Sequence, residues 1–268
     1  MGPTLVRTDT VSPVAQPSDS VLDRAAALPD AVVRYADHAD GVVDLHLPAG
    51  PGPHPLVVTL HGGFWKQAYD RRHQRPLARD LVTAGVVVAA PEYRRVGGAG
   101  GWPMTGDDVL AAFRALPALL DGLGVATSSV TVTGHSAGGH LVLWLVSQVP
   151  GIDRVVALAP VADLAAAARD GLGDGAAQAL LGGSPTDVPD AYAAADPLRL
   201  LGSADPGTHI TVLHGTSDDV VPVGQAHALA DRHARVEVVA LDCGHFEVID
   251  PGSAVWPTVR RSLLGGAP

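Results

Sequence analysis

Apolar residues along this chain gather into short runs bounded by turn formers, and the runs alternate with longer stretches of helical character. Eight runs are short and mostly β-branched, at 31–36, 42–47, 55–60, 85–90, 129–133, 154–158, 209–213 and 235–241, which predicts eight strands. Helical stretches near 73–84, 105–121, 137–149, 223–234 and 253–264 separate the later ones. Such connections are long enough for right-handed crossovers, so the pattern predicts a mainly parallel sheet covered by helices on both faces. The first two runs are joined by a short link containing Asp40-Gly41, which predicts an antiparallel hairpin at one edge. The alternation breaks over 163–207, where Ala-rich pieces are interrupted by Gly171-Leu172-Gly173, Gly182-Gly183-Ser184-Pro185 and Asp196-Pro197. This predicts a small helical cap inserted over the sheet. Residues 1–20, rich in Pro, Ser, Thr and Asp, predict a flexible arm, leaving 21–268 as a single domain.

Composition narrows the class. A chain of 268 residues, 47% hydrophobic and 17% charged, can bury one sizeable core. The net charge of −10 disfavours nucleic acid and anionic lipid, and no apolar run approaches a membrane span, so the expected partner is a small molecule. Cys243 is the only cysteine, excluding an intrachain disulfide, and residues 1–20 lack a basic start followed by an apolar core. The expectation is a cytoplasmic enzyme, with assembly into a homo-oligomer left open.

The candidate chemistry lies at the ends of the predicted strands. Gly134-His135-Ser136-Ala137-Gly138 follows the strand at 129–133 and leads into the helix at 137–149, the context in which a serine is held above a sheet edge on a tight turn. Ser136 is the candidate nucleophile. A serine nucleophile needs a base, a group that orients the base, and donors for the developing oxyanion. The loop His214-Gly215-Thr216-Ser217-Asp218-Asp219, after the strand at 209–213, offers two adjacent acids, of which Asp218 is preferred because Asp219 leads straight into Val220-Val221-Pro222. His245, just after the last strand, supplies the base, and Ser136, Asp218, His245 then fall in serine–acid–histidine order. The oxyanion donors are assigned to the N–H groups of Ala137, after the nucleophile, and of Gly63 and Phe64 in the Gly-rich loop that follows 55–60. His61, His135 and His140 are read as packing or loop-fastening residues. No His-Glu-x-x-His or paired Cys-x-x-Cys pattern supplies a metal site, so neither metal nor organic cofactor is expected.

With H-G-G-F-W at 61–65, G-H-S-A-G-G-H at 134–140, H-G-T-S-D at 214–218 and G-H-F at 244–246, the chain resembles the α/β-hydrolase superfamily over roughly residues 30–265. Glu92-Tyr93-Arg94 and Trp102-Pro103 to Asp107-Asp108 are similar to segments of carboxylesterases of the hormone-sensitive lipase type, but Phe64 replaces that group's third glycine. The H-G-G-x-W form with Trp65 looks more like the kynurenine formamidase (arylformamidase) branch and related small esterases. The resemblance implies hydrolysis of short esters or of N-formyl aryl amides through an acyl-enzyme on Ser136. A noncatalytic binding protein on the same fold would be signalled by a lost serine or histidine, and both are present.

Aromatic residues make up only 4% of the chain, yet Phe64, Trp65, Tyr93, Trp102 and Phe246 all fall in or beside these loops. Trp65, Tyr93, Trp102 and Phe246 are therefore candidates for a substrate wall, the competing expectation being that Trp65 and Tyr93 pack the oxyanion loop onto the fold. Arg94 and Arg95 face a similar choice, between a substrate carboxylate and structural ion pairs with Glu92, Asp107 or Asp108; the ion pairs are favoured.

Overall fold

The computed structural model describes residues 21–201 and 208–266; the arm predicted over 1–20 and the end of the predicted cap lie outside them. Eight strands form, β1 (Ala31–Arg34), β2 (Val42–His46), β3 (His54–Leu60), β4 (Val87–Pro91), β5 (Thr127–His135), β6 (Arg154–Leu158), β7 (His209–Gly215) and β8 (Val236–Leu241). They join in one sheet in the order β1-β2-β4-β3-β5-β6-β7-β8. β2 pairs antiparallel with both β1 and β4, and every other pairing is parallel, so the hairpin through Asp40-Gly41 forms the antiparallel edge.

Side-chain alternation along the parallel strands builds two cores. Leu56, Val58 and Leu60 of β3, Val155 and Ala157 of β6, and Ile210 and Val212 of β7 face one, while Val57, Val156, Leu158 and Leu213 face the other. A strand buried on both faces reads as a continuous apolar run, which is why these segments stand out in the sequence. The helices α2 (Met104–Asp121), α3 (Ala137–Leu145) and α8 (Gly224–Arg232) cover the first face; α1 (Arg75–Val82) and α9 (Trp256–Leu263) cover the second. No helix among the described residues is long and apolar enough to cross a membrane.

Among the described residues between β6 and β7 lie four short helices, α4 (Leu164–Arg169), α5 (Leu172–Leu181), α6 (Pro189–Ala195) and α7 (Pro197–Leu200). They are tied down onto α3 by side chains of that helix: His140 Nε2 donates to Ala195 O at 2.9 Å and Trp144 Nε1 to Ala194 O at 3.1 Å. The chain runs from β3 to β4 on one side of the sheet and returns to β5 on the other. The carboxyl ends of β3 and β5 therefore flank a switch point, where a doubly wound sheet opens a crevice.

Candidate active site

Ser136 sits at the tip of β5 with φ 54° and ψ −114°, a conformation L-residues avoid. Hydrogen bonds on both sides hold it there: its N–H donates to Leu158 O at 2.9 Å, and its carbonyl accepts from His140 at 3.0 Å and from Val161 at 3.2 Å. The turn also depends on its flanking glycines. A Cβ on Gly134 would fall 2.2 Å from Gly138 O, and one on Gly138 would fall 2.0 Å from Leu60 O. A strand can turn so sharply into a helix only where backbone packs on backbone.

The loops after β7 and β8 bring Asp218 to His245, with Oδ2 accepting from His245 Nδ1 at 2.7 Å. Oδ2 also faces His214 Nε2 at 3.2 Å, and Oδ1 accepts from the N–H groups of Val220 (2.9 Å) and Val221 (2.8 Å). Burial alone would raise the Asp218 pKa, but these donors outweigh it and hold the carboxyl well below the usual carboxylate range. The neighbouring Asp219 is exposed. A carboxylate on Nδ1 selects the tautomer that leaves Nε2 of His245 as the acceptor. His135 Nε2 donates to His245 O at 2.9 Å and fixes the loop from the other side. Ser136 Oγ makes no protein hydrogen bond; serine–imidazole contacts of this kind commonly tighten only around a substrate.

Gly63, Phe64 and Trp65 have φ of 105°, 50° and 56°, so the loop after β3 takes three consecutive left-handed residues. A Cβ on Gly63 would fall 2.4 Å from the Tyr69 side chain, and one on Gly62 would fall 3.2 Å from Ser136 Cβ. The loop thus lies directly against the serine. The N–H groups of Gly63, Phe64 and Ala137 donate to no protein acceptor. Beneath them a buried polar cluster anchors the loop. His61 Nδ1 donates to Gly62 O at 2.8 Å, and its Nε2 lies 2.7 Å from Glu92 Oε1. Glu92 also pairs with Arg95 at 2.6 Å and accepts from Arg71 N at 3.1 Å. Burial opposes ionisation of Glu92, yet His61 and Arg95 bring its pKa down to about 2.

These elements enclose a cleft of about 120 Å³, lined by Leu22, Gly63, Phe64, Tyr69, His73, His135, Ser136, Val220, His245 and Phe246. Of the expected aromatic wall only Phe246 lines it, together with Phe64. Trp65, Tyr93 and Trp102 lie elsewhere, because each ring finds a buried partner. Trp65 packs edge-on against His140 at 5.2 Å, Tyr93 stacks on His61 at 4.3 Å, and Trp102 meets Trp144 at 5.1 Å. Tyr93 Oη also donates to His61 O at 2.7 Å, so Trp65 and Tyr93 pack the loop after β3 onto the fold. Arg94 pairs bidentately with Asp108, and Arg95 bridges Glu92 and Asp40. Neither arginine is spare for a substrate carboxylate. Burial and nearby carboxylates push the Cys243 thiol up to about 11, which keeps it unreactive at neutral pH.

Leu22, Tyr69 and His73 lie in segments that carry no motif, and Val220 follows the H-G-T-S-D loop without a role assigned to it, so sequence reasoning passes all four over as cleft residues. Only the fold brings them to the serine. Leu22 arrives because Val21 is buried among Val248, Ile249 and Trp256 while Arg24 forms a bidentate pair with Asp250.

The solved structures with this architecture include the bifunctional GH43-CE protein of Bacteroides eggerthii (23% identity, TM-score 0.69), matched over 86% of this chain but only 36% of that one. A truncated carbohydrate esterase from gut microbiota matches at 19% identity over 90% of this chain and 97% of that one, with a TM-score of 0.74. Esterase B of Lactobacillus rhamnosis, inhibited with a tributyrin phosphonate, matches at 19% identity over 92% and 88%, also with a TM-score of 0.74. No curated protein sequence matches the chain. These structural likenesses show that the chain has the α/β-hydrolase fold of these esterases. The chain belongs to the BD-FAE family, whose model spans residues 43–232.

Proposed function

We propose that this enzyme is a serine carboxylesterase acting on small esters with short acyl groups. The observation that carries the reading is the Asp218–His245 hydrogen bond of 2.7 Å, with His245 and Ser136 on one cleft beside three unpaired backbone N–H groups. In the first step Ser136 Oγ attacks the acyl carbonyl carbon and its proton passes to His245 Nε2. The N–H groups of Gly63, Phe64 and Ala137 receive the oxyanion. The bond to the alcohol oxygen then breaks, and the alcohol leaves with the proton held by His245. A water molecule, deprotonated by the same nitrogen, attacks the acyl-serine, releasing the acid and returning a proton to Ser136. Asp218, held as a carboxylate, stabilises the imidazolium in both halves.

Leu22, Phe64, Val220 and Phe246 make much of the small cleft apolar, which favours an acyl group of few carbons. The carbohydrate esterases among the structural relatives make acetylated sugars the first alcohol class to test. The H-G-G-x-W loop adds N-formyl aryl amides as the competing substrate. The test is kcat/KM for p-nitrophenyl acetate, butyrate and octanoate and for an acetylated sugar, beside N-formylkynurenine, with Ser136→Ala as the blank. The expected order is acetate and butyrate well above octanoate, and esters above the formamide. A formamide preference would replace this reading with an arylformamidase.

A further inference from the structure

Buried in the wall of the cleft is a group that the mechanism leaves unused. His73 is 8% exposed, lines the same cleft as Ser136 and His245, and its ring makes no hydrogen bond among the described residues. Its Nε2 is sealed from solvent with no partner. His46 of β2 is likewise buried without a partner but does not line this cleft; the remaining buried histidines beside it are fastened, His61 to Glu92 and Gly62, His135 to the carbonyl of His245, His140 to Ala195, and His214 to Val221. His73 is therefore not a loop fastener like them.

The ring is also held in place. It sits on a 3-10 turn, Arg71–Gln74, whose flanks are pinned by ion pairs from Arg71 Nε (2.7 Å) and Arg75 Nη2 (3.1 Å) to the buried Asp44. Gln74, the next residue, accepts from Thr59 Oγ1 of β3 at 2.9 Å. Edge-on contact with His61 at 5.6 Å fixes one side of the ring. Burial, reinforced by His61, lowers its pKa to about 3, with Glu92 opposing the shift. At neutral pH the side chain is thus a rigid, uncharged imidazole, one nitrogen a donor and the other an acceptor. Because Nε2 is sealed, Nδ1 is the nitrogen that can meet a ligand in the cleft.

We propose that His73 is a substrate-binding residue that hydrogen-bonds a hydroxyl group on the ester seated in the cleft. A neutral imidazole complements a hydroxyl, which can both accept and donate, and it offers a carboxylate or ammonium no charge partner. The substrate is then a hydroxylated ester: the hydroxyl lies on the alcohol, as in a polyol or sugar ester, or on the acyl group, as in a hydroxyacyl ester. This inference rests on the serine esterase reading and deepens it.

Two matched pairs of substrates test it. Glyceryl monoacetate against propyl acetate varies the alcohol, and p-nitrophenyl 3-hydroxybutyrate against p-nitrophenyl butyrate varies the acyl group. The wild-type enzyme should favour the hydroxylated member of one pair by about tenfold in kcat/KM, the value of one well-placed hydrogen bond. The pair that responds identifies which side His73 reads. In His73→Phe the ratio for that pair should fall to near one, whatever the absolute rate. His73→Gln, which keeps a donor and an acceptor and covers the case in which the Phe variant does not fold, should retain part of the preference. A purely structural role would lower both members of a pair alike, and that result would overturn the proposal. So would a wild-type enzyme that hydrolyses the simple esters but shows no preference in either pair. Failure of the serine esterase reading gives a different pattern, in which wild type and Ser136→Ala are alike on every ester, and His73 then has no substrate to bind.

Discussion

The loops at the carboxyl edge of the sheet and the helical cap above them both bury a carboxylate, and they treat it in opposite ways. At the edge, Asp218 receives two imidazoles and two backbone N–H groups, and its pKa is driven down despite burial. In the cap, Asp196 is 1% exposed but accepts only from Leu198 N at 3.2 Å and Leu164 N at 3.5 Å. Burial, with the charge of Asp163 nearby, raises it to about 6. The backbone repeats the contrast. Strain at the edge is held by hydrogen bonds to both the N–H and the carbonyl of Ser136, from β6, α3 and the loop after β6, whereas the cap turns through left-handed Gly171, Gly173, Asp174 and Gly175 with few bonds to fix them. Donors are thus concentrated around the carboxylate at the edge and sparse around the one in the cap, although both are buried.

The largest effect belongs to the edge. Ser136→Ala should lower kcat on p-nitrophenyl acetate by about six orders of magnitude. Near-normal turnover would remove the edge from the chemistry altogether. Asp218→Asn comes next, at about four orders of magnitude, because an amide no longer selects the productive tautomer of His245. Asp219→Asn, one residue away and exposed, should stay within about threefold of wild type on the same assay. Equal losses at the two positions would mean that the hydrogen bonds counted around Asp218 are not what distinguishes this loop.

How much of each region the sequence discloses follows from the same difference. The central strands are legible because both faces of the sheet are buried there, while the partly exposed edge strands β1 and β8 are legible from their valines; the ends shift by only a few residues, and the strand at 129–133, for example, extends to Thr127–His135. Ser136, Asp218 and His245 are legible because each needs a turn at a strand end, and turns have their own residue chemistry. The cap declares itself only as an interruption. Its helices of four to ten residues are Ala-rich and carry no clear period, and contacts such as His140 with Ala195 fix their placement. The cleft walls fall between these cases. Trp65 and Tyr93 stand in the right loops, but a left-handed φ at Trp65 and the stacking of Tyr93 on His61 take their rings into the interior. Leu22 comes from a segment without motif or period and His73 from the first residue of the helical stretch predicted at 73–84, where nothing marks it, so only three-dimensional packing puts them beside the serine.

Where the two regions meet, Gly173 of α5 packs on Phe64 of the loop after β3, and a Cβ there would fall 2.6 Å from Phe64 Cγ. Gly173 also has φ 59°. Gly173→Val should therefore cost about 2–4 kcal/mol of stability, from left-handed strain and overpacking together. If the cap yields and the edge holds, kcat/KM should fall by about tenfold or less, since displacing Phe64 disturbs one of three donors. A loss comparable to Asp218→Asn would show that the cap sets the oxyanion loop, and the division between the regions would fail.

The smallest expected effect probes the cap carboxylate itself. The folded-state pKa of Asp196 lies near 6, above its ordinary 3.8, so between these values the folded protein binds the extra proton. Its contribution to stability is greatest below about pH 4, falls as the pH rises to about 6, and is constant thereafter. Asp196→Asn keeps an acceptor oxygen for Leu198 N and removes the charge that Asp163 opposes. Urea titrations should therefore show little change near pH 4 and a gain of about 1–3 kcal/mol at pH 7.5. A variant less stable than wild type at pH 7.5 would mean that the ionised form is well satisfied in the fold. The cap would then be as preorganised as the edge beneath it, and the weak hydrogen bonds to Asp196 would not distinguish the two.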